Sequence, residues 1–150
     1  MEVLINNRQN RRRISRANIR RTAQAILNAL DCPDGELSIL VEDDAGIAAL
    51  NEKYLHRNGP TNVIAFPMRD ENSAYVNPNL LGDVVISIET AEREGKEAGC
   101  GMRKRFTVLL IHGILHLFGY DHEKNYYQAK KMENKERELL KVVEEIVDSE

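Results

Sequence analysis

Lys104-Arg-Phe-Thr-Val-Leu-Leu-Ile-His112-Gly-Ile-Leu-His116-Leu-Phe118 is strongly apolar and too long for one strand. It therefore reads as a buried helix, and a buried helix needs other elements around it. Just upstream, Glu89 to Ala98 has the composition of a charged, largely exposed helix that Gly99 and Gly101 terminate. Downstream, Tyr126 to Val147 carries Met132, Leu139, Leu140, Val143 and Ile146 at helical spacing and closes the fold. Farther out, Val3 to Asn6, the alternating Leu37, Ile39 and Val41, Val63 to Phe66, and Val84 to Ile88 read as four strands. Ser15 is placed to cap a helix whose apolar face is Ile19, Ala23, Ile26, Leu27 and Leu30. Asp43 or Asp44 opens another helix, holding Ile47, Leu50 and Tyr54, that stops before Gly59-Pro60. Met68 to Leu80, polar and containing Pro78, reads as a mobile loop. The expected architecture is α/β (α+β): one domain over residues 1–150, with a mixed sheet of about four strands packed by helices. Periodicity does not give the pairing order.

The composition fits one such domain. The chain has 150 residues, 42% hydrophobic and 30% charged, which is globular and argues against disordered, collagen-like or membrane classes. Its longest apolar run, Val108 to Ile111, is far short of the ~20 residues of a membrane helix. The first residues have no apolar stretch of signal-peptide length, so a cytoplasmic protein with no membrane partner is expected. Cys32 and Cys100 are isolated and read as reduced core or turn residues. Aromatic residues make up 5% and Trp is absent, leaving little for base-stacking platforms. The net charge of −3 gives no argument for nucleic acid. Within the first thirty residues, however, seven arginines (Arg8, Arg11, Arg12, Arg13, Arg16, Arg20 and Arg21) face one glutamate, Glu2. A local patch of that kind can contact phosphates, or it can be a solvated helix face with a mobile arm.

Three of the four histidines fall within eleven residues, His112 to His122. Residues four apart project from one face of a helix, so His112 and His116 can present their imidazoles to one ion. Gly119 can take the left-handed conformation that ends the helix, and His122 then supplies a third nitrogen. This is the metzincin spacing HExxHxxGxxH, with Gly113 where those peptidases place their glutamate base. Peptide hydrolysis by that route is therefore unsupported. Three neutral donors with an open fourth position lower the pKa of a bound water to about 7. Imidazole ligation points to one Zn²⁺ per chain, although it also suits Ni, Cu or Fe. Asp121 can orient an imidazole or serve the turn after Gly119. His56 reads as a solvated loop residue, and Met132 as core. Chemistry alone supports a metallohydrolase of unspecified substrate.

The run HGxLHLxGYDH, present as His112, Gly113, Leu115, His116, Leu117, Gly119, Tyr120, Asp121 and His122, resembles the signature of the YbeY family of bacterial single-strand endoribonucleases. Leu50-Asn51, Tyr54, Pro60 to Pro67 and Leu81-Gly82-Asp83 are similar to that family's LNxxYRxxxxPTxVLSFP and LGD segments. The resemblance implies a zinc-bound α/β fold related to the zincins, with a zincin-like metal helix. It also implies an RNA substrate, a role in ribosomal RNA processing and ribosome quality control, and ribosomal partners. The position of the family's functional arginine holds Leu55, and its serine falls on Ala65. Arg57, two residues on, is the candidate catalytic residue, because a guanidinium fork can hold a phosphate or transition-state oxyanion. An ordinary exposed loop arginine is the other reading.

The expectation is thus a metal-dependent endoribonuclease of single-stranded RNA, with His112, His116 and His122 as ligands. Two alternatives stand beside it: a zinc-dependent peptidase or other small-substrate metallohydrolase, and a non-enzymatic ribosome assembly factor with structural zinc.

Overall fold

Ser15 caps the first helix: its hydroxyl accepts from the Asn18 backbone N–H at 3.1 Å, satisfying one of the N–H groups a helix start leaves open. The computed structural model describes residues 3–68 and 77–148. Along these run β1 (Val3–Asn7), α1 (Arg16–Ala29), β2 (Glu36–Glu42), α2 (Asp44–Leu55), β3 (Val63–Pro67), β4 (Leu80–Ser87), α3 (Ile88–Ala98), α4 (Met102–Leu117) and α5 (Tyr126–Asp148). Most of the loop expected over Met68 to Leu80 lies outside the described residues; its end, Leu80, begins β4.

The sheet is four-stranded, ordered β1-β2-β4-β3. β1, β2 and β4 are parallel, and β3 runs antiparallel along the β4 edge. Alternation along each strand then sends side chains to two different layers. Leu37, Ile39, Val41, Val84 and Ile86 join the core beneath α1, α4 and α5, while Leu40, Val85, Ile64 and Phe66 pack with Ile47 and Leu50 of α2. The larger core includes Ile114 and Leu115 of α4, each 0% exposed, and truncating either to alanine costs about 2–5 kcal/mol.

Two boundaries differ from the sequence reading. Ile88 belongs to a helix, because the Ser87 hydroxyl accepts from the Thr90 N–H and starts α3 there. Nor is α3 largely exposed: Ile88, Ala91 and Gly95 are buried against the core and α4, and its charges lie on the other side. A second polar cluster joins α2 to α3. The Asp44 carboxylate accepts from Ser87 Oγ at 2.6 Å, Thr90 Oγ1 at 2.7 Å and Arg93 at 2.8 Å. Burial acts to raise the Asp44 pKa, but these hydrogen bonds outweigh it and hold the carboxyl below its ordinary value. Neither Cys32 nor Cys100 is paired in a disulfide with the other. Among the described residues no helix is long and apolar enough to cross a membrane.

Candidate metal centre

α4 lies over β3 and β4, and Gly113 is what lets it come so close. A Cβ built there would stand 2.6 Å from Val84 Cγ1 and 3.2 Å from Val63 Cγ2. The position that holds a glutamate in metzincins therefore faces the sheet and has no room for any side chain. His112, one residue earlier, and His116, one turn later, point away from it toward α5 and the turn that follows α4.

That turn is built by Gly119. With φ at +91°, it lets the Gly119 N–H donate to the His116 carbonyl and the Tyr120 N–H to the Leu115 carbonyl, both at 3.0 Å. These paired bonds end the helix and reverse the chain, which brings His122 back to the other two imidazoles. Ring centroids lie 4.6 Å apart for His112 and His116, 5.1 Å for His112 and His122, and 5.4 Å for His116 and His122. One ring nitrogen from each lies within 4.8 Å of the others.

The donor chemistry fits a metal ion. His112 Nδ1 is 3.2 Å from Glu136 Oε2 on α5, and a carboxylate only accepts, so this nitrogen carries the proton. His112 Nε2 then presents a lone pair, and His116 Nε2 faces it at 3.1 Å. Two nitrogens each 2.0–2.1 Å from a tetrahedral ion stand about 3.3–3.4 Å apart, close to the separation seen. The His116 pKa is lowered, by burial first and then by the nearby His112 and His122; Asp121 and a backbone hydrogen bond with Tyr120 act against this. A neutral imidazole is the form that ligates. His122 is the most exposed of the three, at 43% of its side chain, so the cluster is open to solvent on that side.

Glu136 was not anticipated in the sequence, yet its position gives a signal. It lies four residues after Met132 and three before Leu139, both 0% exposed, so a charge occupies the apolar stripe of α5. Its place is that of the carboxylate that fixes the tautomer of a ligating histidine. Asp121 has a different part: its Oδ1 accepts from the Glu123 N–H at 2.9 Å, a turn contact. His56 ends α2 in the left-handed conformation, with φ at 55°, and takes no part in the cluster.

Arg57 is not among the groups that touch the imidazoles. It is exposed on the loop between α2 and β3, with no side-chain partner among the described residues. Buried Asn51 holds that loop from both sides, donating to the Gly59 carbonyl at 3.0 Å and accepting the Arg57 N–H at 3.3 Å through its own carbonyl. The arginine-rich segment is also changed by folding. Arg8 pairs with buried Glu42 at 3.2 Å, Arg11 with Glu89 and Glu92 at 3.6 and 3.3 Å, and Arg12 with Glu92. Arg20 donates to the Val3 carbonyl and Arg21 to Asn18. Of the seven arginines, Arg13 and Arg16 alone have no partner among the described residues.

Comparison with known proteins places this arrangement. The family described as Endoribonuclease YbeY matches over residues 4–144. A Geobacter metallireducens protein named Endoribonuclease YbeY is 47% identical over 96% of this chain and 97% of its own length. An Aquifex aeolicus protein of the same name is 40% identical over 87% and 85%. The solution structure of TM1509 from Thermotoga maritima, at 22% identity, covers 95% of this chain and 89% of its own with a TM-score of 0.67, and so shares the fold. With its motif residues gathered at one end of α4 and the match running nearly end to end, the chain belongs to the YbeY endoribonuclease family.

Proposed function

We propose that residues 1–150 form one metal-dependent hydrolase domain that cleaves single-stranded RNA, with one Zn²⁺ held by His112, His116 and His122. The observation that carries this reading is the convergence of three imidazoles, one ring nitrogen of each within 4.8 Å of the others, with Glu136 placed to hold His112 in the tautomer that leaves Nε2 free to ligate. Zinc suits three imidazoles and keeps a position for water or substrate when no fourth protein ligand is present. When bound, it supplies Lewis-acid stabilisation and a water acidic enough to ionise near neutral pH.

The chain's own groups set the rest. Glu136 orients His112 and keeps the proton on Nδ1, and Gly119 returns His122 to the cluster. Arg57, offered here as the catalytic arginine, is placed by Asn51 on an exposed loop from which a guanidinium can hold a phosphate oxygen on two donors. RNA as substrate follows from the family, and ribosomal RNA, with the ribosome and its proteins as partners in the cytoplasm, is the finer reading. A peptidase is disfavoured on structural grounds. An amide's poor leaving group calls for a positioned acid or base, and the sheet closes the place such a glutamate would take. RNA carries its own potential nucleophile, the 2′-hydroxyl, and asks less of the protein.

The test is cleavage by metal-loaded and metal-stripped protein of unstructured ribosomal RNA, duplex RNA and casein. The expected result is metal-dependent cutting of the unstructured RNA, slower cutting of the duplex, and none of casein. Casein cut while the RNA stays intact would overturn the proposal.

A further inference from the structure

Two tyrosines stand where neither the core nor the metal centre uses them. Tyr126 and Tyr127 open α5 and are 82% and 70% exposed. Their rings add almost nothing to the packing that holds the helix down through Met132, Leu139 and Val143. Tyrosine is also a poorer helix former than alanine, so helix propensity does not call for them. Consecutive residues of a helix point about 100° apart, so the two rings diverge. Neither makes a ring contact or a side-chain hydrogen bond among the described residues. They are two of five tyrosines in a chain without Trp.

Their surroundings are basic. From Lys124 to Lys131 there are three lysines and no acid. Lys130 lies one turn beyond Tyr126 and Lys131 one turn beyond Tyr127, the spacing that puts side chains on one face. Lys124 has no partner among the described residues. Lys131 Nζ stands 5.7 Å from the centre of the Tyr120 ring, a contact that leaves its charge in place. Lys130 is 3.6 Å from Glu133, but Arg137 reaches the same carboxylate at 3.0 Å, so two cations share one anion. The acid on the other flank, Glu123, has its carboxylate 3.8 Å from His122. The tyrosines also stand near the exposed metal ligand: four residues lead from His122 to Tyr126, and four residues of chain reach at most about 14 Å.

Exposed rings among cations, beside a metal ligand, select their partner by chemistry. A protein interface would use the tyrosines but not the lysines, which are depleted in such interfaces. A duplex would use the lysines but not the rings, because its bases are stacked on one another. An unpaired strand uses both, since its phosphates take the lysines and its free bases stack on the rings. We propose that Tyr126 and Tyr127 each stack an unpaired base of the RNA strand beside the metal centre, that Lys124, Lys130 and Lys131 hold its phosphates, and that this patch sets the preference for single strands. The proposal rests on the RNA reading above and adds to it the residues that bind the strand.

The experiment titrates full-length, metal-stripped protein into a fluorescently labelled oligouridylate, and into an abasic strand of the same length that keeps the phosphates and lacks the bases. Replacing both rings, Tyr126→Ala with Tyr127→Ala, should weaken oligouridylate binding by about fivefold or more for each ring lost and leave the abasic strand unchanged. Tyr126→Phe with Tyr127→Phe, which keeps the rings, should bind oligouridylate as wild type does. Lys124→Gln should weaken both strands alike. With metal restored, the double alanine variant should show a lower ratio of single-strand to duplex cleavage. Equal oligouridylate binding by wild type and the double alanine variant overturns the proposal, and so does an equal loss for the abasic strand. If that variant keeps its RNA affinity but loses self-association in sedimentation, the rings belong to an interface between copies and the proposal fails. Wild-type protein that binds no RNA, and cuts none when metal-loaded, overturns the RNA reading itself, a result distinct from the others.

Discussion

Between His112 and His122 three polar side chains converge; between Arg8 and Arg13 four arginines stand close in sequence, and three of them are drawn to carboxylates. The first set sits on one helix and the turn that ends it, so its geometry follows from residue spacing and one left-handed glycine. The second set depends on Glu42, Glu89 and Glu92, acids that lie well downstream in the sequence and reach the arm only because β2 and α3 are brought beside it. Local spacing on a rigid element survives folding unchanged. A local sum of charge does not, because the tertiary fold chooses its partners.

The largest break in this contrast should come from His116→Ala. Losing one of three ligands should abolish stoichiometric metal, measured by elemental analysis, and reduce RNA cleavage to background. The circular dichroism spectrum should stay that of the folded protein, since the core does not depend on the ion. Arg57→Ala should follow in size, lowering cleavage by about 10²-fold with metal content intact. Arg57→Lys should restore only part of this, because the two-donor fork is gone; unchanged kinetics in the alanine variant would return Arg57 to an ordinary loop residue. Glu136→Gln keeps the shape of α5 but removes the carboxylate from His112, and chelator competition should show metal affinity about 10–100-fold weaker.

Smaller effects sharpen the comparison. Asp44→Asn should cost about 1–3 kcal/mol in denaturant unfolding by weakening three hydrogen bonds to a charged group. With its folded pKa below the ordinary value, Asp44 contributes stability that is complete above about pH 4 and is lost as the pH falls through the lowered value. The wild-type advantage over the asparagine variant should therefore shrink on acidification below about pH 4. The least change belongs to the arm. Removing Arg16, which has no partner among the described residues, as Arg16→Gln should flatten the salt dependence of RNA binding by up to about 0.7 in the log–log slope. Arg12→Gln, taken from its pair with Glu92, should flatten it less; equal slopes would mean that the carboxylates do not occupy the arm.

The same physics decides what could be read from the chain. Ser15, Asp43 and Gly119 act on backbone groups within three residues, so α1, α2 and the turn after α4 were legible with the triad itself. The strand order was not, because β2 pairs with β4 across α2 and β3, and no local pattern records that register. The buried side of α3 was hidden by its charges, since Ile88, Ala91 and Gly95 form a narrow stripe with a glycine as one of its members. Glu136 lies twenty-four residues from His112 and was accessible only as a charge on an apolar face. Arg57 is positioned by Asn51, and no spacing rule links that loop to the histidines.

Stepwise return of Zn²⁺ to metal-stripped protein, with the cleavage rate of single-stranded RNA recorded at each addition, reads metal binding and chemistry together. The rate should rise linearly and break at one equivalent per chain, with no recovery in His112→Ala, His116→Ala or His122→Ala. Cleavage that persists in the stripped protein, or that returns equally in the three alanine variants, would contradict a catalytic metal at this triad.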